Sequence, residues 1–484
     1  MIRILSTDKN LSRNMQHWLY NGLDCCITRE ISPILQAKLG ANTRQTYDFE
    51  MALQVPAMAM MLRGFLVDKA SKSAAFYEEM DTIFRVEKYL KRLASVVGMN
   101  DLNPQSHSQL KRLFYDVLGL PSVNKKSTSQ KALKRLSEFH FYAQPFVSAI
   151  KAIRESYNLI NVFGSQTDSD GRVRFWFSPS ATKTGQWSCK KNDGTSALAL
   201  ALSEQAERLR RIFIPDPGWK LAYVTPRQAE AESKVVAYLA EDERYIQAHE
   251  SADPERGDLH TIVAKMIWPD LNWTGDAAAD RQLADAPAYK HFSYRDLAKH
   301  CGYATNYGVS AWTLSRNLHI PKSVVEEIQA NYFRAFPGIQ RWQLRVAEAI
   351  QKEGVLVNPF GRVRQFFGRA LEDATIREAI AYGPKSTVAD ALSRGLLAIY
   401  WQLDYPDRGV QLLSSQNGAI IFQFRSESAL NAALNLLSVP IPTSTVMTIG
   451  LDCKCGYNLA SASDKNPNGL LPKDSHNELS QTRS

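Results

Sequence analysis

The sequence predicts an α+β fold in which helical and strand-rich blocks follow one another along the chain. Three observations carry this. Apolar residues recur at helical spacing across 46–160 and again across 240–350. Residues 171–238 combine period-two alternation with short apolar runs closed by Pro/Gly turns. Two apolar runs between Gln411 and Phe424 flank Asn417-Gly418, a dipeptide that tight hairpin turns favour.

Trp18-Leu19-Tyr20-Asn21-Gly22-Leu23-Asp24 leads into a short helical pattern, and residues 1–45 read as the tail of a larger domain. Phe49, Leu53, Pro56 and Met60 continue at helical spacing, and the pattern stops at Gly64. Asn103-Pro104-Gln105-Ser106 opens another helix, with Ser106 as cap and Leu110 and Leu113 on the apolar face. Lys125-Lys126-Ser127-Thr128 is a basic turn, readable as a solvated loop or as a phosphate contact. Arg172 to Phe177 alternates with period two. Ile212-Phe213-Ile214 and Leu221-Ala222-Tyr223-Val224 are strands on either side of a Pro/Gly turn, and Gln228 to Tyr238 turns helical. A break rich in Gly, Asp and Pro interrupts the next helical block at Asp253 to Asp258. Residues 353–369 read as a hairpin around Asn358-Pro359-Phe360-Gly361, and residues 371–403 as one long helix. From Ser461 the composition is that of a disordered tail.

Composition bounds the function. With 484 residues, 44% hydrophobic and 22% charged, the chain has the make-up of a globular protein of about three domains. The net charge of +9 favours a polyanionic partner, though weakly. Apolar runs such as Met51 to Leu62 fall short of the ~20 residues a membrane span needs. Asp8, Lys9 and Arg13 interrupt any apolar signal core. Six cysteines read as reduced thiols rather than a disulfide scaffold. The expectation is a cytoplasmic protein without membrane attachment.

The most informative stretch is Arg295-x-x-x-Lys299-x-x-x-Tyr303-x-x-x-Tyr307-Gly308. Steps of four place all four side chains along one helix face. Two cations followed by two rings suit a triphosphate and a base. The same spacing also suits an amphipathic helix with a basic edge and two core tyrosines, so periodicity leaves both open.

The segment Arg295 to Gly308 resembles the fingers helix of family A DNA polymerases, especially the bacteriophage type. Further blocks run in the same order. Tyr20-x-x-x-Asp24 is similar to the last motif of a proofreading exonuclease. Arg63-Gly64-Phe65-Leu66-Val67-Asp68 and Asn103-Pro104-Gln105-Ser106 resemble thumb signatures. Thr184-Gly185-Gln186-Trp187-Ser188 resembles the palm motif T-G-R-W-S. Arg210-Arg211-Ile212-Phe213-Ile214-Pro215, Asn358-Pro359-Phe360-Gly361-Arg362, Arg377-Glu378-Ala379-Ile380-Ala381 and Ser386-Thr387-Val388-Ala389-Asp390 match further blocks.

The resemblance implies a right-hand polymerase fold with a helical thumb, an antiparallel palm and helical fingers. It implies an exonuclease remnant at 1–45, thumb at 46–165, palm at 166–240 and 351–460, fingers at 241–350, and a disordered tail at 461–484. Tyr20 and Asp24 alone would not support exonuclease chemistry. The implied activity is template-directed nucleotidyl transfer in DNA replication, with primer–template DNA and a deoxynucleoside triphosphate as partners. The implied cofactor is a pair of Mg²⁺ ions held by two palm aspartates. Arg295, Lys299, Tyr303, Tyr307 and His260 would meet the nucleotide. Arg362, Arg377, Gln186 and Lys385 would lie along the DNA.

Both metal-binding aspartates depart from the pattern. Aligned from the strand side, the first falls on Thr225; aligned from the helix side, it falls on Arg227. The glutamate beneath the sugar is then Glu230 or Glu232, respectively. The second aspartate, expected after a histidine, has become part of Asn417-Gly418. The Arg of T-G-R-W-S is Gln186, the Gln late in the long palm helix is Lys385, and an Asn-Leu-Gln-Asn block is not recognisable in Gly194 to Ala199. The expectation is therefore a DNA-binding member that is inactive or severely impaired. The alternatives are a DNA-binding scaffold without a nucleotide role, and an active enzyme whose metals are held by Glu230, Glu232 or Asp390.

Overall fold

Long-range packing divides the chain into two units, each assembled from segments far apart in sequence. One comprises Val55–Gln228, Leu392–Val439 and Ile449–Ser484; the other comprises Met1–Gln54, Ala229–Ala391 and Pro440–Thr448. The structure, a computed structural model, describes residues 12–123, 125–163, 167–190, 207–252, 258–367, 372–416 and 418–473.

The first unit is built on a five-stranded antiparallel sheet. Its order is Val410–Gln416, Ala419–Phe424, Lys220–Pro226, Leu451–Gly456, Leu471–Pro472. All six residues of Ala419–Phe424 are buried, which is why that strand reads as a continuous apolar run and not as an alternation. Phe422 and Phe424 are among the largest fully buried side chains of the described residues, each contributing roughly 1.5–3 kcal/mol. The expected hairpin is present, with Gly418 at φ +75 in the turn and a bulge between Leu412 and Ser414. Asn417 lies outside the described residues, as do Gly194 to Ala199.

A helical layer belongs to the same unit. Lys69–Val96 and Gln144–Phe163 enclose a core of Leu90, Leu110, Phe114, Leu133, Leu136 and Ile150 with the shorter helices His107–Lys111 and Gln130–Phe139. Ser106 caps its helix as expected, accepting from the Gln109 amide at 3.4 Å, but the helix passes into a π-turn over Arg112–Val117. Gly64 ends the Gln54–Arg63 helix at φ +65. A Cβ there would lie 2.8 Å from both the Val173 carbonyl oxygen and Arg174 Cγ, so no larger residue fits.

Three sequence expectations change. The alternating run Arg172 to Phe177 is two strands in different ladders: Arg172–Val173 pairs with Phe65–Val67, and Trp176–Ser178 pairs with Ser188–Lys190. Ion pairs of Arg172 with Asp216, and of Arg174 with Asp168 and Asp170, pin the chain between them. The helical block at 240–350 contains a small hairpin, Pro287–Tyr289 with Phe292–Ser293. The chain from Ser461 is not irregular as far as Lys473: Leu471–Pro472 joins the sheet and Leu470 is buried. Asn458 and Asn466 exchange side-chain hydrogen bonds there at 2.9 and 3.0 Å. Asn, Ser and Gly serve tight turns as readily as disorder, so composition misled.

The second unit is mainly helical. Its core holds Tyr245, Tyr332 and Phe336, with ring centres 4.6–6.2 Å apart. The Tyr332 hydroxyl donates to Asn306 Oδ1 at 2.8 Å, and Asn306 Nδ2 donates to the Tyr245 hydroxyl at 3.1 Å. This buried network anchors the C-terminal end of the Tyr294–Asn306 helix. Asp373–Leu403 is the expected long helix, of which the part to Ala391 belongs to this unit, and Val355–Val357 pairs with Val363–Gln365 as the expected hairpin. Tyr20 and Asp24 sit exposed on the Arg13–Ala37 helix. Among the described residues, no helix is long and apolar enough to cross a membrane.

Candidate functional site

The Tyr294–Asn306 helix starts from a capping box. The Ser293 hydroxyl accepts from the Asp296 amide at 3.0 Å, and Asp296 Oδ2 accepts from the Ser293 amide at 3.2 Å. Arg295, Lys299 and Tyr303 lie on this helix. Tyr307, expected on it as well, is instead the residue that closes it, at φ −97 and ψ 12, followed by Gly308 at φ +66. A Cβ on Gly308 would come within 3.2 Å of Ile380 Cδ1, so the helix end is tightly packed.

The two tyrosines meet one carboxylate. Tyr303 donates to Glu232 Oε2 at 3.2 Å, and Tyr307 donates a short hydrogen bond to the same oxygen. Their ring centres are 4.9 Å apart. Tyr307 is 9% exposed and Tyr303 45%, so one ring is packed and the other open to stacking. Burial, then the Glu232 charge, hold the Tyr307 phenol well above its usual range, so it stays protonated and donates. The Lys385 ammonium stands 5.4 Å from the centre of the Tyr307 ring. Of the two candidate glutamates, Glu232 is the one brought to the tyrosines; Glu230 lies in the first turn of Gln228–Ala240.

At the other end of the helix, Arg295 forms an ion pair with Asp258, with Nη2 3.0 Å from Oδ1. Burial opposes the charge on Asp258, but hydrogen bonds from Arg295 and Thr261 and the charges of Arg295 and Arg281 outweigh it, so its carboxyl titrates at about 2. His260 is pushed down to about 4 by burial and then by Arg295, and is neutral at pH 7. Lys299 is exposed and has no ion-pair partner among the described residues. In sequence, Asp258 and His260 form the Asp-x-His match Asp258-Leu259-His260, and an Asp ahead of an apolar helical run is also a capping signal.

The sheet tip in the other unit is different. Thr225 pairs across the ladder with Asp452, and Arg227 Nε donates to Asp452 Oδ1 at 3.3 Å. The Arg227 amide donates to the Gly450 carbonyl at 2.9 Å. Gly418 occupies the hairpin turn next to the strand that pairs with Lys220–Pro226. Asp452 was not among the sequence candidates; only strand pairing brings it opposite Thr225. Thr225 and Gly418 offer no anionic ligand and Arg227 is a cation. Among the described residues, no group of three or more His, Cys, Asp or Glu side chains is placed to hold a metal ion.

The remaining candidates separate. Arg362, expected along DNA, is 7% exposed, and its guanidinium pairs with Asp390 at 2.8 Å and Glu50 at 2.5 Å. Its charge serves the interior, and the same contacts, with Asn358 Nδ2 at 2.7 Å, occupy Asp390 as a substitute metal ligand. Arg377 and Gln186 are exposed, and Lys385 is half-buried. Trp187, beside Gln186, is buried and donates to Ser393 at 3.0 Å. Asp216 is paired with Arg172 and Gln423.

A family model described as DNA polymerase family A matches residues 77–414. The chain is 26% identical over 398 residues to the thermostable DNA polymerase I of Thermus aquaticus, covering 79% of this chain and 44% of that protein. It is 23% identical over 407 residues to the DNA polymerase I of Helicobacter pylori, covering 80% of this chain and 42% of that protein. The chain therefore spans a little under half the length of these curated relatives. The POL domain of Pol1 from M. smegmatis, solved in complex with DNA primer-template and dNTP, matches with a TM-score of 0.67 and 21% identity over 84% of this chain and 70% of that one. The two share a fold.

Proposed function

The chain belongs to DNA polymerase family A and has the right-hand polymerase fold, and from that premise we propose that it binds primer–template DNA and a deoxynucleoside triphosphate while copying DNA poorly or not at all. The observation that carries this is the contrast between retained binding groups and absent metal ligands. Arg295 and Lys299 supply charge for a triphosphate, Tyr303 an open ring, and Tyr307 with Glu232 a packed wall. At the sheet tip the two aspartate positions carry Thr225 or Arg227 and part of Asn417-Gly418. These residues do not fit a pair of Mg²⁺ ions. The resemblance to the bacteriophage branch rests on the fingers segment.

Two of the three substitute ligands are engaged elsewhere, Glu232 by two tyrosines and Asp390 by Arg362, which argues against an active enzyme with relocated metals. Electrostatic groups at a reacting centre are each worth roughly 3–4 kcal/mol, so losing two implies a rate drop on the order of 10⁵. Single-nucleotide primer extension at high protein concentration, with Mg²⁺ and separately with Mn²⁺, tests this. Extension at an ordinary rate would sink the reading. Nucleotide protection of Lys299 from chemical modification separates it from a scaffold with no nucleotide role.

A further inference from the structure

Asp258 sits where three elements meet within the helical unit. It precedes the Leu259–Ile267 helix as its N-cap, accepting from the His260 amide at 3.1 Å and the Thr261 hydroxyl at 2.8 Å. Arg295 approaches it side-on, with Nε 3.0 Å from Oδ1 and 3.3 Å from Oδ2 and Nη2 3.0 Å from Oδ1. Arg281, on the Ala277–Ala284 helix, reaches its other oxygen, with Nη1 2.8 Å from Oδ2. Arg281 is held in turn by Asp285, Nε to Oδ2 at 2.6 Å. None of Asp258, Arg281 and Asp285 belongs to the Arg295–Tyr307 motif.

The side-on geometry has a consequence for Arg295. A guanidinium has five N–H donors in a rigid fork. Asp258 takes the Nε edge, which leaves the Nη1/Nη2 edge of a side chain that is still 22% exposed. Lys299 follows one turn later on the same helix face. Arg281 shares the carboxylate, and with Asp285 on Arg281 the four side chains carry no net charge, so what Asp258 fixes is the direction of the free Arg295 donors.

We propose that Asp258 is a positioning residue for the triphosphate. It grips the inner edge of Arg295 while Arg281 holds its other oxygen, and the outer edge of Arg295 is held facing a phosphate beside Lys299. This rests on the nucleotide-binding reading given above. The gain is pre-organisation: a long side chain is ordered before the ligand arrives.

The test is equilibrium binding of dATP and of deoxyadenosine to the full chain, with the Asp258→Asn, Arg281→Gln and Arg295→Gln variants. Asn caps a helix as well as Asp does, so Asp258→Asn keeps the cap and removes the charge. Losing one pre-ordered side chain should weaken dATP binding by roughly three- to tenfold in Asp258→Asn. Arg281→Gln should weaken it in the same direction by less, and deoxyadenosine binding should not change in either. A parallel loss for both ligands would mean a structural role and overturn the proposal. Tighter dATP binding would overturn it too, because the carboxylate would then be competing with phosphate. So would unchanged dATP binding in Asp258→Asn. The Arg295→Gln variant separates the two levels: if the wild type binds dATP no better than it does, the nucleotide reading itself fails, and the positioning role with it.

Discussion

The Tyr294–Asn306 helix and the tip of the central sheet carry opposite chemistry. The helix presents Arg295, Lys299 and an open Tyr303 ring, with Tyr307 packed against Glu232. The sheet tip presents Thr225, Arg227 and Gly418, with Arg227 closed onto Asp452. The difference shows what each region owes to folding. Tyr307 is wedged into the packing, and Arg295 is tied to Asp258, a helix cap, so changing either disturbs structure. The tip positions stand at the end of a ladder whose stability comes from residues such as Val224, Ile420 and Phe422. Two adjacent carboxylates there would repel each other without a metal, so their replacement costs the fold nothing.

The sharpest way to break the contrast is to restore the acids. Arg227→Asp with Gly418→Asp should raise primer extension in Mg²⁺ by at least roughly a hundredfold over the wild type. The helix-side alignment is the better choice because it makes Glu232 the sugar-side glutamate, and Glu232 is the one that meets Tyr307. Gly418 has φ +75 and no atom within 4 Å of a built Cβ, so Asp there costs only backbone strain, about 1–2 kcal/mol. A gain in Thr225→Asp with Gly418→Asp alone would move the metal position to the strand side. No gain in either pair would make Gln186 limiting as well.

A second experiment asks whether Arg362 belongs to framework or to ligand. Removing one partner of a buried ion pair strands the other charge, so Arg362→Met should cost about 3–5 kcal/mol in denaturant unfolding. The folded fraction should bind primer–template DNA as the wild type does. Intact stability with weakened DNA binding would return Arg362 to the DNA track.

Sequence order and periodicity made much of this legible. The Asp373–Leu403 helix, the Gln411 to Phe424 hairpin and the spacing from Arg295 to Tyr303 are local patterns, and local patterns survive in a sequence. What was not legible depends on contacts across long separations. Burial of Arg362 needs Glu50, 312 residues away. Asp452 matters only once its strand pairs with Lys220–Pro226, and the choice between Glu230 and Glu232 needs Tyr307 in place. Arg172 to Phe177 shows the converse, a good local pattern divided by ion pairs that the alternation does not encode.

Acid titration probes the helix side by itself. His260 is held down to about 4, against about 6.5 when unfolded, so the unfolded chain takes up its proton first. Stability contributed by neutral His260 is complete above pH 6.5 and is lost as pH falls towards 4. His249, lowered to about 3 chiefly by burial, acts in the same window, and Asp258 follows between about 3.8 and 2. His260→Asn should therefore reduce the stability lost between pH 6.5 and 4 by roughly 1–3 kcal/mol without abolishing it, read from chemical unfolding at each pH. An unchanged slope would mean that His260 is hydrated and Arg295 does not weigh on it.

The smallest effect concerns DNA affinity, and it ties the two regions together. Binding to primer–template should fall linearly with salt on a log–log plot, and Arg377→Gln should lower the slope by about one, the loss of one phosphate contact. A flat response in the wild type would remove DNA as a partner. The restored-acid variant tests whether the tip faces DNA. Replacing Arg227 by Asp and Gly418 by Asp changes the charge of the tip by about −3, and without divalent metal those carboxylates repel a phosphate backbone. In EDTA the variant should bind DNA more weakly than the wild type, and Mg²⁺ should recover the affinity in the variant while leaving the wild type unmoved. Equal affinities in EDTA would mean that the tip does not face the backbone, and the +9 excess would then have to act on DNA from other surfaces.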